Sequence, residues 1–145
     1  MDLKTYLTFL GVDNVLIRSK DNFENTYAKN GSYIINLADA NEDGTHWTAL
    51  YIKGDMSIYF DSYGLAPPKH IQAFTKNKTL LYNTDHIQSF DSSACGYYCV
   101  LFLYHFNNLS NDYKQYGYAL NKFNQPFDLN NKENNDEILK NILML

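Results

Sequence analysis

One stretch of the chain, from Cys95 to Phe106, restricts the possible folds most, because it is almost continuously apolar or aromatic. At 12 residues it is longer than a typical buried strand, and Val100, Leu101 and Leu103 have a spacing that suits helical packing. The stretch therefore predicts a central buried helix that begins at or near Cys95.

A β-hairpin is predicted upstream of that helix. Trp47–Ile52 and Ser57–Asp61 have the β-branched and aromatic content of strands, and Gly54 between them can adopt the positive φ of a tight turn. The other predicted elements are a helix Leu3–Leu10 capped by Asp2 and stopped by Gly11, a strand Tyr33–Leu37, a loop Asn41–Gly44, a helix Lys69–Phe74 opened by Pro67 and Pro68, strands Thr79–Tyr82 and Ile87–Ser89, and helices Asp112–Lys122 and Asn135–Leu143. The polar segment Asn14–Asn30 gives no assignment.

Helices and strands segregate along the 145 residues, without an internal repeat or a boundary, so we expect one α+β domain over residues 1–145. In that fold a small mixed, mainly antiparallel sheet packs against the central helix, which carries Cys95, and further helices flank the sheet. We expect a monomer.

Charge and cysteine content exclude several classes of partner. The formal net charge of −4 argues against DNA as a general partner, although Lys69, Lys76 and Lys78 could form a local basic patch. Cys95 and Cys99 lie four residues apart on one predicted helix, which does not suit a disulfide. Neither a secretory signal nor an apolar run of about 20 residues is present. These features predict reduced thiols, no membrane association and an intracellular location, in the cytoplasm or nucleus.

Cys95 has a position that favours reactivity. A thiol acts as a nucleophile only as the thiolate, and the free N–H groups at a helix N-terminus stabilise that anion. Taken alone, an intracellular cysteine is more often an inert buried side chain, and Cys99, one turn further into the helix, keeps that interpretation. The cysteines and four scattered histidines lack zinc-site spacing, so we expect neither a metal nor another cofactor.

His46 is the candidate base among the four histidines, the others being His70, His86 and His105. It opens the first strand of the predicted hairpin, and Asp61 ends the second, so antiparallel pairing brings the two together. A base needs a carboxylate on its other ring nitrogen to fix its tautomer and orientation. Asp61 could equally form the turn that follows, and Asp91, close before Cys95, is a rival carboxylate.

Four motifs in order carry a family resemblance: Gly44-Thr45-His46-Trp47, Tyr59-Phe60-Asp61-Ser62-Tyr63-Gly64, Gln88-Ser89 and Cys95-Gly96-Tyr97-Tyr98. They resemble the motifs of the adenovirus protease and SUMO-protease superfamily. Asp61 lies fifteen residues after His46, and Gln88 lies seven before Cys95, spacings similar to those of the family. The order His, Asp, Gln, Cys also differs from the order in papain-like enzymes.

The resemblance implies an adenain-like fold and a role for each matched residue. Cys95 would attack a peptide carbonyl, His46 would take and return the proton, and Asp61 would orient His46. Gln88 and the backbone N–H of Cys95 would form the oxyanion hole. Trp47 would shield the catalytic ring and wall a narrow substrate channel, or serve as a plain core aromatic, and Gly96 would keep the start of the helix open.

Family enzymes tend to cut after glycine, so the resemblance implies a protein or peptide substrate with Gly near the scissile bond. A viral maturation enzyme that trims capsid precursors, and that is packaged in the virion, is the first hypothesis. A protease for ubiquitin-like modifiers and an acyltransferase with the same Cys-His-acid arrangement are the alternatives. A non-catalytic binding module is disfavoured because all four catalytic positions are present.

Overall fold

The computed structural model describes residues 2–23, 28–38, 46–109 and 116–145. In chain order its elements are α1 (Leu3–Phe9), β1 (Leu16–Ser19), a 3-10 helix (Lys20–Phe23), β2 (Gly31–Asn36), β3 (Trp47–Lys53), β4 (Met56–Phe60), α2 (Lys69–Phe74), β5 (Thr79–Tyr82), α3 (Cys95–Asn107), α4 (Tyr116–Asn124), a second 3-10 helix (Lys132–Asn134) and α5 (Asn135–Leu143). Among these helices, none has the length and apolar character needed to cross a membrane.

The described strands form one mixed sheet in the order β1-β2-β3-β4-β5. The three central strands pair antiparallel, whereas β1 joins β2 and β5 joins β4 in parallel. In the β3–β4 hairpin Ala49 pairs with Phe60 and Lys53 with Met56, and Gly54 has a φ of 59° in the turn. This register places the start of β3 beside the end of β4.

Apolar side chains cover both faces of the sheet. On one face α3 packs against β3, and its Phe102 stacks on Phe60 of β4 with ring centroids 5.1 Å apart. The 3-10 helix and α2 cover the opposite face, where Phe23 and Phe74 pack against Tyr33. Because α3 lies across the middle of the sheet, its first residue comes close to the edge at which β3 begins.

The predicted α+β class is confirmed, and most predicted elements form within one or two residues of their expected bounds. Asp2 caps α1 by accepting a hydrogen bond from Thr5 N, and Gly11 follows that helix with a φ of 84°. The segment Asn14–Asn30, which gave no assignment, contains β1. The predicted loop Asn41–Gly44 lies outside the described residues, as does the first part of the predicted helix Asp112–Lys122, whose described portion continues to Asn124 in α4.

The predicted strand Ile87–Ser89 is wrong, because this segment is irregular. The backbone N–H groups of Ile87 and Gln88 both donate to one carbonyl, Ser62 O, at 2.9 and 3.1 Å. In a β ladder, neighbouring residues instead point their N–H groups to opposite sides. The segment is therefore attached to the loop that follows β4 and not to a strand.

Candidate active site

The hairpin brings His46 and Asp61 together as its register requires. His46 directly precedes β3, Asp61 directly follows β4, and His46 Nε2 lies 2.9 Å from Asp61 Oδ1. With Nε2–H donating to the carboxylate, Nδ1 is the ring nitrogen that remains for another partner. The predicted meeting of the two strand ends is thus confirmed as geometry.

Asp61 is buried and rigidly attached. Its side chain is 1% exposed, and Oδ1 also accepts a hydrogen bond from the backbone N–H of Tyr63 at 2.8 Å. Within the part of the chain that the structure describes, Oδ2 has no hydrogen-bond partner. A buried carboxylate with so few donors is stabilised mainly by a positive charge beside it, which favours the protonated form of His46.

Cys95 is the first residue of α3 and is buried. Burial by itself raises the pKa of its thiol, but a hydrogen bond with His46, N–H groups of Trp47 and Gly96, and the positive charge of His46 outweigh it and lower the pKa. The N-terminus of a helix adds its own partial positive charge at this position. The surroundings of Cys95 therefore favour the nucleophilic thiolate.

The pKa of His46 is shifted in the opposite direction to that of Cys95. Burial alone would lower the pKa of its ring, which is 15% exposed, but hydrogen bonds and charge interactions with Asp61 and Cys95 raise the pKa to about 9. At neutral pH the ring is then mostly protonated. His46, Cys95 and Asp61 form one electrostatically coupled cluster in which a thiolate and an imidazolium stabilise each other.

Cys99 has a different environment although it belongs to the same helix. It is fully buried, its thiol donates to the carbonyl of Trp47 at 3.4 Å, and burial raises its pKa well above the usual value. No free helix N–H remains one turn inside the helix. The pKa values of the two thiols are therefore shifted in opposite directions.

Gln88 lies between the loop after Asp61 and the turn before Cys95. Its Oε1 accepts a hydrogen bond from the hydroxyl of Ser62, and its Nε2 donates to the carbonyl of Ser92 at 3.0 Å. The side chain is buried, and its amide group joins the segment that follows Asp61 to the segment that precedes Cys95.

Trp47 and Gly96 also lie next to the cluster. Trp47 follows His46, is half-buried and packs against the core. Its backbone N–H interacts with the thiol of Cys95, and its carbonyl accepts from the thiol of Cys99. A Cβ on Gly96 would meet Leu3 Cδ1 at 2.8 Å, so a side chain there would require the end of the Leu3 side chain on α1 to shift. The close approach of Leu3 is a packing reason for this glycine that the sequence pattern did not reveal.

The ring that stacks on His46 is that of Tyr63, with centroids 4.7 Å apart. Phe90 stacks in turn on Tyr63 and is 84% exposed, and His86 packs edge-on against both rings. Sequence reasoning gave none of these aromatic residues a role. Tyr63 could have been noticed, because it lies in the family-like motif Asp61-Ser62-Tyr63-Gly64. The order of the motifs alone does not show which ring covers the histidine.

His86 and His105 each contact a backbone carbonyl outside the cluster of Cys95, His46 and Asp61. His86 belongs to the aromatic group, and its Nε2 lies 2.6 Å from the carbonyl of Gln88. His105 lies 3.0 Å from the carbonyl of Ala119, and burial lowers its pKa. Among the described residues no group of three or more His, Cys, Asp or Glu side chains has an arrangement that could bind a metal ion.

Comparison with known proteins identifies relatives of this chain. A sequence model described as adenovirus endoprotease matches residues 70–141. A protease of bovine adenovirus C serotype 10 is 31% identical over 97 residues, covering 54% of this chain and 50% of the viral protein. The chain thus spans about half the length of the curated relative that it matches.

A solved structure of the ASFV protease shares the fold. The crystal structure of its selenomethionine form is 18% identical, has a TM-score of 0.50 and covers 77% of this chain and 42% of that chain. A second crystal structure of the ASFV protease gives 19% identity and a TM-score of 0.47, with coverage of 73% and 53%.

The fold and the matches together define the class of this protein. It is an α+β chain with the adenain-like fold. Its resemblance to the adenovirus-protease superfamily, inferred from four short motifs, is confirmed by the match to the adenovirus endoprotease family and to the bovine adenovirus protease. The family match includes Gln88 and Cys95 but begins after His46 and Asp61, so the assembly of all four residues rests on the geometry described above.

Proposed function

We propose that this chain is a cysteine endopeptidase in which Cys95 is the nucleophile, His46 the acid and base, Asp61 the residue that orients His46, and Gln88 an oxyanion donor. The observation that carries the proposal is the coupled cluster of Cys95, His46 and Asp61, in which the thiol pKa is lowered and the imidazole pKa is raised to about 9. Thiol proteases need this combination, because the thiolate attacks and the imidazolium supplies a proton.

The chemistry proceeds in two halves. The Cys95 thiolate adds to the peptide carbonyl carbon, the C–N bond breaks, and His46 gives its proton to the departing amine, which leaves a thioester. Neutral His46 then accepts a proton from water as the water oxygen adds to the thioester carbon. The C–S bond breaks, and the carboxylic acid product and the Cys95 thiolate with protonated His46 are restored.

Charge develops on the carbonyl oxygen in both halves. The backbone N–H of Cys95 lies at the start of α3, where it has no intrahelical acceptor, and the amide of Gln88 lies near the turn that precedes it. Two preorganised donors of this kind stabilise the oxyanion, and the loss of one typically lowers the rate by about 10²–10³.

Glycine beside the scissile bond is the proposed substrate preference, with Trp47 and Gly96 bordering the channel. Half-buried Trp47 follows His46, and Tyr63 and Phe90 stack over the imidazole, so bulky rings border the histidine that interacts with the thiol. A backbone with no side chain approaches such a thiol most easily. The proposed substrates are proteins or peptides, with viral capsid precursors as the first candidates. Residues 1–145 would act on them as one monomeric catalytic domain inside a host cell.

A thiol-directed peptide probe tests this function. The pure protein is incubated with a vinyl-sulfone peptide that ends in glycine, and the adduct is located by mass spectrometry. We expect one adduct, on Cys95, in the wild type and in Cys99→Ala, and none in Cys95→Ala. Labelling of Cys99 in the folded wild type, or an adduct in Cys95→Ala, would contradict the assignment.

A substrate panel separates the proposed activity from its two alternatives. Cleavage of a peptide library after glycine supports the endopeptidase. Release of the tail from a ubiquitin-like fusion, without cleavage of short peptides, indicates a modifier protease, and consumption of acetyl-CoA without peptide cleavage indicates an acyltransferase. Cys95→Ala is the control in each assay.

A further inference from the structure

Ser62 is a buried serine directly after the proposed orienting acid Asp61. It is 0% exposed, and its hydroxyl donates to Gln88 Oε1 across 2.5 Å. Its backbone carbonyl accepts the N–H groups of both Ile87 and Gln88. One residue therefore binds Gln88 through the backbone and through the side chain at once.

The side-chain contact matters because the rotamer of a glutamine does not fix its terminal amide. The last torsion of Gln is broad and roughly two-fold, so the oxygen and the nitrogen can exchange places at little intrinsic cost. On the nitrogen side Gln88 faces the carbonyl of Ser92 at 3.0 Å, which can only accept. With Ser62 at the oxygen end and Ser92 at the nitrogen end, the amide plane is fixed at two points.

The second N–H group of the Gln88 amide has only a weak partner. Nε2 carries two N–H groups, and the second is near the Ser92 hydroxyl oxygen at 3.3 Å, longer than an ordinary N–H···O hydrogen bond. That oxygen already accepts a hydrogen bond from the backbone N–H of Ala94 at 3.1 Å. A negatively charged oxygen competes effectively for the second N–H, because hydrogen bonds to ions are about twice as strong as neutral ones.

We propose that Ser62 is a positioning residue for oxyanion stabilisation: its buried hydroxyl holds the amide of Gln88 with the nitrogen toward the turn that precedes Cys95. This inference rests on the proposed function of Gln88. Without the hydroxyl the amide rotates more freely, and in the reversed orientation its oxygen faces the developing negative charge. Ser62 thereby joins the segment that carries Asp61 to the oxyanion donor.

The test compares the reactions of Cys95 that need an oxyanion hole with one that does not. Turnover of a glycine-containing fluorogenic peptide and inhibition by a peptide glycinal, which forms a hemithioacetal, need it. Alkylation of Cys95 by iodoacetamide forms no oxyanion. For Ser62→Ala we expect kcat to fall about 10- to 100-fold and glycinal affinity to weaken, with KM within roughly 2-fold and an unchanged alkylation rate.

A double-substitution cycle shows whether Ser62 acts through Gln88. We expect Ser62→Ala to lower kcat in the wild type but to have no further effect in Gln88→Ala. Ser57→Ala is the matched control, because Ser57 is also 0% exposed and donates to a backbone carbonyl, that of Thr79 at 2.9 Å, within the sheet. It should leave kcat unchanged.

Different results would contradict the role of Ser62 and the role of Gln88. Loss of kcat in Ser62→Ala that is equally large in the Gln88→Ala background, or a parallel fall in alkylation rate, would overturn the positioning role. If Gln88→Ala instead kept the wild-type kcat, the oxyanion role of Gln88 would be refuted, and this inference with it. If Ser62→Ala does not fold, Ser62→Cys, which is similar in size but a weak donor, must show the same kcat-specific loss.

Discussion

Asn83 pairs with the backbone of Asp61 through both ends of its amide. Asp61 N donates to Asn83 Oδ1 at 3.0 Å, and Asn83 Nδ2 donates to Asp61 O at 2.8 Å. The side chain continues, past the end of β5, the pairing that β4 and β5 make through their backbones. It satisfies two buried backbone groups of the residue that contacts His46.

Replacement of Asn83 by Ala should therefore destabilise the protein and misplace Asp61. A buried polar group without a partner costs about 1–3 kcal/mol, so we expect the free energy of unfolding to fall by on the order of 3 kcal/mol in urea denaturation. Asn108→Ala is the control, since its side chain makes one exposed bond to Tyr104 O, and it should change stability by less than about 0.5 kcal/mol. Equal losses in the two variants would refute the role of Asn83.

The pH dependence of kcat/KM should be bell-shaped. The thiolate and the imidazolium coexist above the lowered pKa of Cys95 and below the raised pKa of His46, about 9. Activity should rise as the thiol ionises and fall as the imidazolium loses its proton, and both limbs belong to the coupled pair. A rate profile at constant ionic strength measures them.

Asp61→Asn tests the carboxylate separately. The amide keeps the shape but removes the negative charge, so the pKa of His46 should fall, the alkaline limb should move to lower pH, and the maximum should drop by at least about 10². Asp91→Asn is the matched control, because Asp91 is exposed and bonds the hydroxyl of Ser89. If the pH profile of the rate collapsed in Asp91→Asn and stayed unchanged in Asp61→Asn, Asp91 and not Asp61 would be the residue that orients His46.

The two cysteines should respond differently to alanine. Cys95→Ala should abolish turnover and leave the unfolding transition nearly unchanged, since its thiol contributes chemistry. Cys99→Ala removes a fully buried thiol and should cost on the order of 1 kcal/mol of stability with little loss of kcat. Loss of turnover in Cys99→Ala at a temperature where it is folded would show that the nucleophile is wrongly assigned.

Metal chelation should not affect catalysis, because the proposed thiol mechanism draws on the protein's own side chains and backbone N–H groups. We expect the same kcat/KM before and after dialysis against EDTA, and elemental analysis should show no stoichiometric zinc. Loss of turnover on chelation, with recovery on addition of zinc, would refute the thiol mechanism.

Local patterns were sufficient to predict the elements that place the proposed triad. The length and apolar character of the segment after Cys95 define α3, and the turn at Gly54 sets the hairpin register that brings His46 to Asp61. Each of these depends on residues close together in the chain, where spacing determines geometry.

The supporting contacts could not be predicted, because they join residues distant in sequence. Asn83 and Asp61 are 22 residues apart, Ser62 and Gln88 are 26 apart, and no periodicity marks such pairs. Strand β1 was missed for another reason. Its residues are largely exposed and lack a buried alternation, so only its pairing with β2 shows that it is a strand.

Gly64 closes the turn after Asp61. Its N–H donates to Asp61 O at 2.8 Å, its φ is 74°, and an added Cβ would lie 2.6 Å from the carbonyl oxygen of Thr84. Both the left-handed backbone and this close approach penalise a side chain. Gly64→Ala should therefore lower the free energy of unfolding by about 2 kcal/mol or more, and should lower kcat because the turn carries Asp61.

Gly117→Ala provides the comparison that separates these effects from glycine replacement in general. Gly117 lies in the first turn of α4, where an added Cβ meets nothing within 4 Å, so alanine should leave stability unchanged or raise it by up to about 1 kcal/mol. Urea denaturation and kcat/KM of both variants measure the contrast. Wild-type stability in Gly64→Ala would mean that the Asp61–Gly64 turn does not approach Thr84 as described, and the attachment of Asp61 would need another explanation.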